Sequence, residues 1–138
     1  MRRRGWIRGS GGGDGHDRRD AIEEAVERLR EQAEYGTVVV EGSRDVSALE
    51  WLGIGGNHVA LHQGRTLHAV MEDLAMAPPP VILLVDWDRT GGHLVAKLEE
   101  NLRARVHVDV ECRRRLSRVA HCKCLEDLPA ELAALRQA

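Results

Sequence analysis

Glu41, Asp86 and Asp88 are the residues of this chain whose types and placement suit them best to chemistry. Glu41 ends the run TVVVE (37–41) and precedes Gly42, while Asp86 and Asp88 flank Trp87 at the end of VILLVDWD (81–88). Both apolar runs read as buried strands. In an open α/β sheet, ligands sit beyond the carboxyl ends of the strands. If the two strands are neighbours, three carboxylates converge on one rim. Like charges at close range repel and raise one another's pKa, and a divalent cation relieves the repulsion. Oxygen ligands with few other donors suit Mg2+, with Mn2+ as its substitute, and water or phosphate oxygens complete the octahedron. Alternation along an extended chain puts Asp86 and Asp88 on one side and turns Trp87 away. A plainer role stands beside this one: Asp88 occupies the N-cap position of a helix starting near Thr90.

The elements that must position these residues alternate between strand and helix. Asp20, with Glu23 three residues on, resembles a capping box opening a helix that carries Ile22, Ala25, Val26 and Leu29 inward and closes at Tyr35-Gly36. After the first strand, SRDVSALEWLG (43–53) returns to helical spacing with Ser43 as its N-cap. NHVALH (57–62) is a second strand and TLHAVMEDLA (66–75) a helix broken by Pro78 to Pro80. The strand ending in Asp86 is followed by a helix over 90–103 and an alternating strand, RVHVDV (105–110), nearer an edge. RRRLSRVA (113–120) is expected as a short helix, HCKCLE (121–126) as a last short strand and LPAELAALRQ (128–137) as a final helix. This βαβ spacing predicts an α/β fold: one Rossmann-like domain whose mostly parallel sheet of about four strands has helices on both faces. The expected divisions are a leader (1–17), an N-terminal helix (18–36), the domain proper (37–125) and a C-terminal helix (126–138).

The 138 residues suffice for one domain with a real core, and 43 % apolar with 30 % charged residues is ordinary for a globular protein. There is no Phe, so Val, Leu, Ile and Ala must build the core. A formal charge of −2 argues against coating nucleic acid by bulk charge, so any such contact must be local. No apolar run approaches the ~20 residues of a membrane span, and the N-terminus lacks an apolar signal core. Three cysteines, an odd number, fit a reducing cytoplasm better than a disulfide framework. The leader, with Arg2, Arg3, Arg4, Arg8 and Gly11 to Gly13, reads as a basic tail.

VVVEGSRDVSALEWLGI followed by VILLVDWDRTG resembles the Toprim domain, the catalytic domain of type IA and type II topoisomerases, bacterial primases, OLD-type nucleases and the ribonuclease that matures 5S ribosomal RNA. The pattern is a strand ending in Glu-Gly, here Glu41-Gly42, and a later strand ending in Asp-x-Asp, here Asp86-Trp87-Asp88. The similarity covers roughly residues 37 to 125, and with VECRRRLSRVAHCKCLEDL (110–128) the chain looks most like the small stand-alone Toprim proteins of archaea and some bacteria. The resemblance implies that Glu41 serves as general acid or base and that Glu41, Asp86 and Asp88 bind one or two Mg2+ during phosphodiester chemistry on RNA or DNA. It implies a nuclease-like hydrolase or, alternatively, a non-catalytic metal- and nucleic-acid-binding module acting with protein partners in a larger complex. Asp45 matches the aspartate of nuclease-like members with an E-G-x-x-D run; holding water or metal and stabilising its own helix are both open to it. Gly42 is expected to allow a tight turn, and Gly91 to have a structural role. A topoisomerase is rejected: the one tyrosine, Tyr35, has no nucleophile's surroundings, and the chain is too short for a DNA gate. A primase is disfavoured because no zinc-binding or helicase-binding domain is visible.

Arg44 and Arg89 flank the acidic residues as candidate phosphate contacts, and Arg113, Arg114, Arg115 and Arg118 form a local basic run, with a solvated helix face as its plainer reading. Cys112, Cys122 and Cys124 with His121 lack the spacing of a common zinc site, so idle thiols are expected. GIGG (53–56) follows a helix and so is no dinucleotide fingerprint. His58, His62, His68 and His93 are scattered and read as surface residues, His93 being near enough to the acidic site to meet a substrate.

Overall fold

A computed structural model describes residues 14–138. Most of the basic leader, Arg2, Arg3, Arg4 and Arg8 included, lies outside the described residues. The elements run α1 (Asp14–Ala33), β1 (Thr37–Val40), α2 (Ser43–Trp51), β2 (Asn57–Ala60), α3 (Leu67–Ala75), β3 (Val81–Leu83), α4 (Arg89–Leu102), β4 (Val108–Asp109), α5 (Glu111–Val119), a 3-10 turn (Leu125–Asp127) and α6 (Leu128–Gln137).

The four strands form one all-parallel sheet in the order β2-β1-β3-β4. Each strand residue faces the side opposite its neighbour's, and that alternation divides the core. Val38, Val40, Ile82 and Leu84 pack under α1, α2, α5 and α6, with Ile22, Leu29, Leu49, Leu116 and Leu132. Val39, Val81, Leu83 and Val85 pack under α3 and α4, with Leu74, Val95 and Leu98. Burial on both faces explains why β1 and β3 are unbroken apolar runs. Because β1 and β3 are direct neighbours, with Val39 opposite Leu83, Glu41 and Asp86 leave the sheet side by side.

The structure corrects several sequence expectations. Asp20 does not open the first helix but lies inside α1, as does the expected 17/18 boundary. Its carboxylate sits 3.7 Å from His16 one turn earlier, and Arg19 lies 3.8 Å from Glu23. The cap of α2 is Gly42, not Ser43, because Asp45 accepts a hydrogen bond from the Gly42 N–H at 3.0 Å. The segment 121–126 forms no strand. Its backbone is claimed elsewhere: Lys123 O and Cys122 O accept from the Trp87 amide and indole N–H, and the His121 and Cys122 amides donate to Glu131. β4 is shorter than its alternating pattern suggested, as suits an edge. Among the described residues, no helix is long and apolar enough to cross a membrane.

Candidate functional site

Glu41 follows the last residue of β1, and its side chain is held at both oxygens. Oε2 accepts a hydrogen bond from the Asp86 N–H at 3.2 Å, and Oε1 lies 3.5 Å from His62 Nε2. The His62 amide also donates to Glu41 O at 2.8 Å, so β1 and β2 stay in register to the rim. Asp45 is buried beneath, its Oδ2 on the Gly42 amide. Asp86 is half-buried between them, and Trp87 turns into the core with its indole N–H on Cys122 O at 2.7 Å. These residues line an open cleft of about 390 Å3, whose walls include Glu41, Asp45, Asp86, His62, Arg44 and Glu126.

Asp88 is used differently. Its Oδ1 accepts from the Gly91 N–H at 2.7 Å and caps α4, which is the plainer role its position allowed. It does not line the cleft, although its charge is felt there. Gly91 is required by close approach: a Cβ would stand 1.8 Å from Asp86 O. The opposite holds for Gly42, where a Cβ would meet nothing within 4 Å and the backbone is extended at φ −147°. No tight turn demands glycine there; what the missing side chain provides is room at the mouth of the cleft.

Electrostatics set this rim apart from the rest of the surface. Burial, then the charges of Glu41, Asp45 and Asp88, and then a hydrogen bond with Glu41, push the Asp86 carboxyl up to about 7. Burial also raises Asp45, against the hydrogen bonds from the Gly42 and Glu41 amides. Arg113 reaches this cluster from α5, donating from Nε to Val85 O at 2.9 Å and from Nη2 to Asp86 O at 2.7 Å. It fixes the backbone that carries Asp86, with Nε and Nη2 both engaged by main-chain carbonyls in doing so. Burial lowers its pKa while Asp88, Asp86 and Glu41 oppose that shift.

The arginines expected to act together are dispersed. Arg44 lies 3.4 Å from Glu126, and Arg89 is exposed at the start of α4. Arg114 and Arg118 share Glu111 at 3.5 and 3.8 Å, while Arg115 faces α1. Burial first, then acidic neighbours, pushes the Cys112, Cys122 and Cys124 thiols up to about 12. Sequence reasoning missed His62 and Glu126 as members of the cleft and Arg113 as the support of Asp86. His62 had a legible signal, since it ends a strand on the same rim; Glu126 and Arg113 had none, because both arrive from distant segments.

Among the described residues, no three His, Cys, Asp or Glu side chains stand in metal-ligating geometry. The donor set nevertheless suits a hard cation. Glu41 and Asp86 are oxygen donors on adjacent strand ends, and burial, then the negative charge around it, raises the Asp86 carboxyl.

No family model matches the chain. A UPF0292 protein of Methanosarcina barkeri is 34 % identical over 124 residues, covering 86 % of this chain and 85 % of that relative. The chain belongs to the UPF0292 family. Another member, from Pyrococcus furiosus, is 34 % identical over 79 % of this chain and 82 % of its own length. A solved structure of a protein from Aquifex aeolicus superposes with a TM-score of 0.66 at 27 % identity, covering 77 % of this chain and 96 % of that one.

Proposed function

We propose that this UPF0292 chain is a Toprim-type domain that carries out Mg2+-dependent phosphodiester chemistry on nucleic acid, as a nuclease-like hydrolase. One observation carries this: Glu41 and Asp86 meet at the carboxyl ends of adjacent parallel strands, in a setting that raises the Asp86 carboxyl to about 7. Asp86 and Glu41 are the residues to hold Mg2+, or Mn2+ in its place, with Asp88 contributing through the carboxylate that also caps α4. When bound, the ion supplies charge neutralisation at the phosphate oxygens. Glu41, with one oxygen 3.5 Å from His62 Nε2, is the group that would take a proton from an attacking water or return one to a leaving oxygen. Gly42 leaves space for the scissile phosphate, and Arg44 stands at the cleft wall as its contact. Tyr35 is exposed in the turn between α1 and β1, and so lies at the opposite end of the sheet from Glu41. It is no nucleophile for this cleft.

A second reading, a metal- and nucleic-acid-binding module without turnover, has its own support in the use of Asp88 as a cap and in the lack of a three-side-chain metal cluster among the described residues. The test is cleavage of labelled single- and double-stranded RNA and DNA with Mg2+ or Mn2+. Asp86→Asn and Glu41→Gln are each expected to slow cleavage by about 100-fold or more with an unchanged far-UV spectrum. A parent that binds but never cleaves, with binding intact in Glu41→Gln, selects the module. Full activity in Asp86→Asn overturns the site.

A further inference from the structure

A second site lies away from the acidic cleft, in the groove where α5 crosses α1. The two helices run antiparallel: Gln32, near the end of α1, bonds to Asp109 at the end of β4 and to Cys112 at the start of α5. Toward the other end, Ala25 and Val119 floor a groove of about 220 Å3. Arg28 projects into it from α1, and Arg115 and Arg118 from successive turns of α5. Among the described residues, Glu24 is the only carboxylate lining it. Glu111, the nearest acid on α5, is already shared between Arg114 and Arg118 and does not line the groove. The groove therefore has a surplus of positive charge in a chain whose net charge is −2. The floor is apolar, so it offers no hydrogen-bond pattern that would select one particular small anion.

We infer that this α1–α5 groove binds the phosphodiester backbone of the RNA or DNA strand on which the acidic cleft acts. The inference rests on the function proposed above. α5 connects the two sites. Arg113 emerges on one side and bonds to Asp86 O, while Arg115, two residues on and about 200° around the helix, faces the groove. The cleft and the groove thus flank α5 on different sides, Arg113 reaching toward the strand end that carries Asp86 and Arg115 toward α1. One strand can hold a phosphate against Arg28, Arg115 and Arg118 while another phosphate reaches Glu41 and Asp86. Contacts of this type position the substrate without reading its bases. They also supply the attraction that a carboxylate-lined cleft lacks.

The experiment is fluorescence anisotropy with 5′-labelled 20-nucleotide single-stranded RNA and DNA over a salt series. EDTA is present so that no turnover intrudes. The proteins are the parent, the triple variant Arg28→Gln/Arg115→Gln/Arg118→Gln and the corresponding triple lysine variant, each checked for folding by circular dichroism. The glutamine variant is expected to bind at least ~10-fold more weakly, and the slope of log K against log salt to fall by about 2, as the loss of three phosphate contacts on a single strand requires. The lysine variant should keep the parent's slope. Parent-like affinity and slope in the glutamine variant, or no binding by the parent, overturn the groove; so does equal affinity of the parent for a polyglutamate probe. A parallel cleavage assay separates this from the function itself. If Asp86→Asn abolishes cleavage while the glutamine variant binds normally, the groove falls and the acidic site stands. If the glutamine variant loses binding but Asp86→Asn still cleaves, the groove stands and the hydrolytic site falls.

Discussion

Asp86 concentrates the electrostatic tension of this protein. Its carboxyl holds a proton up to about 7 in the folded chain, against 3.8 without that environment. A raised folded pKa means the folded state binds the proton more tightly. The resulting stabilisation is complete below about pH 4 and is lost as pH rises through 7. Asn has nearly the same shape and no charge. Asp86→Asn should therefore melt close to the parent at pH 5 and above it at pH 8, by on the order of 1 kcal/mol once solvent screening of this half-buried group is allowed for, or a few degrees in Tm. Asp45 is raised too, also chiefly by burial, so some pH dependence remains in the variant. Scanning calorimetry at the two pH values checks this. An Asp86→Asn gap that is the same at both would mean that the carboxylates do not repel as their placement requires.

At the scale of elements, two glycines with similar sequence settings do opposite things. Gly91 lies where α4 turns back against the strand end that carries Asp86, and a Cβ there would overlap Asp86 O and Asp86 C at 1.8 and 2.7 Å. Gly91→Ala is expected to cost about 3 kcal/mol through backbone displacement, whereas Gly42→Ala should stay within about 0.5 kcal/mol. Urea unfolding distinguishes them, and equal costs would contradict the packing described. Much of this architecture was legible in the chain: the unbroken runs at 37–40 and 81–85 gave doubly covered strands, Pro78 to Pro80 separated helix from strand, and Glu41 and Asp86 could be put at carboxyl strand ends, while the adjacency of β1 and β3 that joins them on one rim stayed a condition until the strand order was seen. What was not legible depends on distant partners. The role of Arg113 is set by carbonyls 27 and 28 residues away, and Glu131 draws 121–122 out of a strand with two backbone hydrogen bonds. Burial alone would raise Glu131; those amides, the Cys122 thiol and Arg18 hold it below the usual carboxylate range. Local propensity carries no trace of such claims.

For the whole molecule, the rim exists only when β1, β2, β3, α2 and α5 are assembled, since Glu41, Asp45, Asp86, His62 and Arg113 come from separate segments. An unfolded chain cannot offer the proposed cation site, so the proposal requires that Mn2+ stabilise folding. At a free concentration 100 times its Kd the gain is about 2.7 kcal/mol, or roughly 5–10 °C in Tm for a domain of this size. The pH dependence runs opposite to that of the apo protein. At pH 6 the ion must displace the proton on Asp86, so the Mn2+ shift should be smaller at pH 6 than at pH 8. The Glu41→Gln/Asp86→Asn variant should show no shift at either pH, and EDTA should reverse the parent's. A second acidic region, where Glu27, Glu31 and Glu34 line another hollow beside α1, provides the internal control. Those side chains lie on and just past the solvent-facing side of α1, where Arg30 pairs with Glu27 at 2.6 Å. If the double variant keeps the parent's Mn2+ shift, the ion binds there or elsewhere, and the crowding of carboxylates on the rim serves something other than a metal.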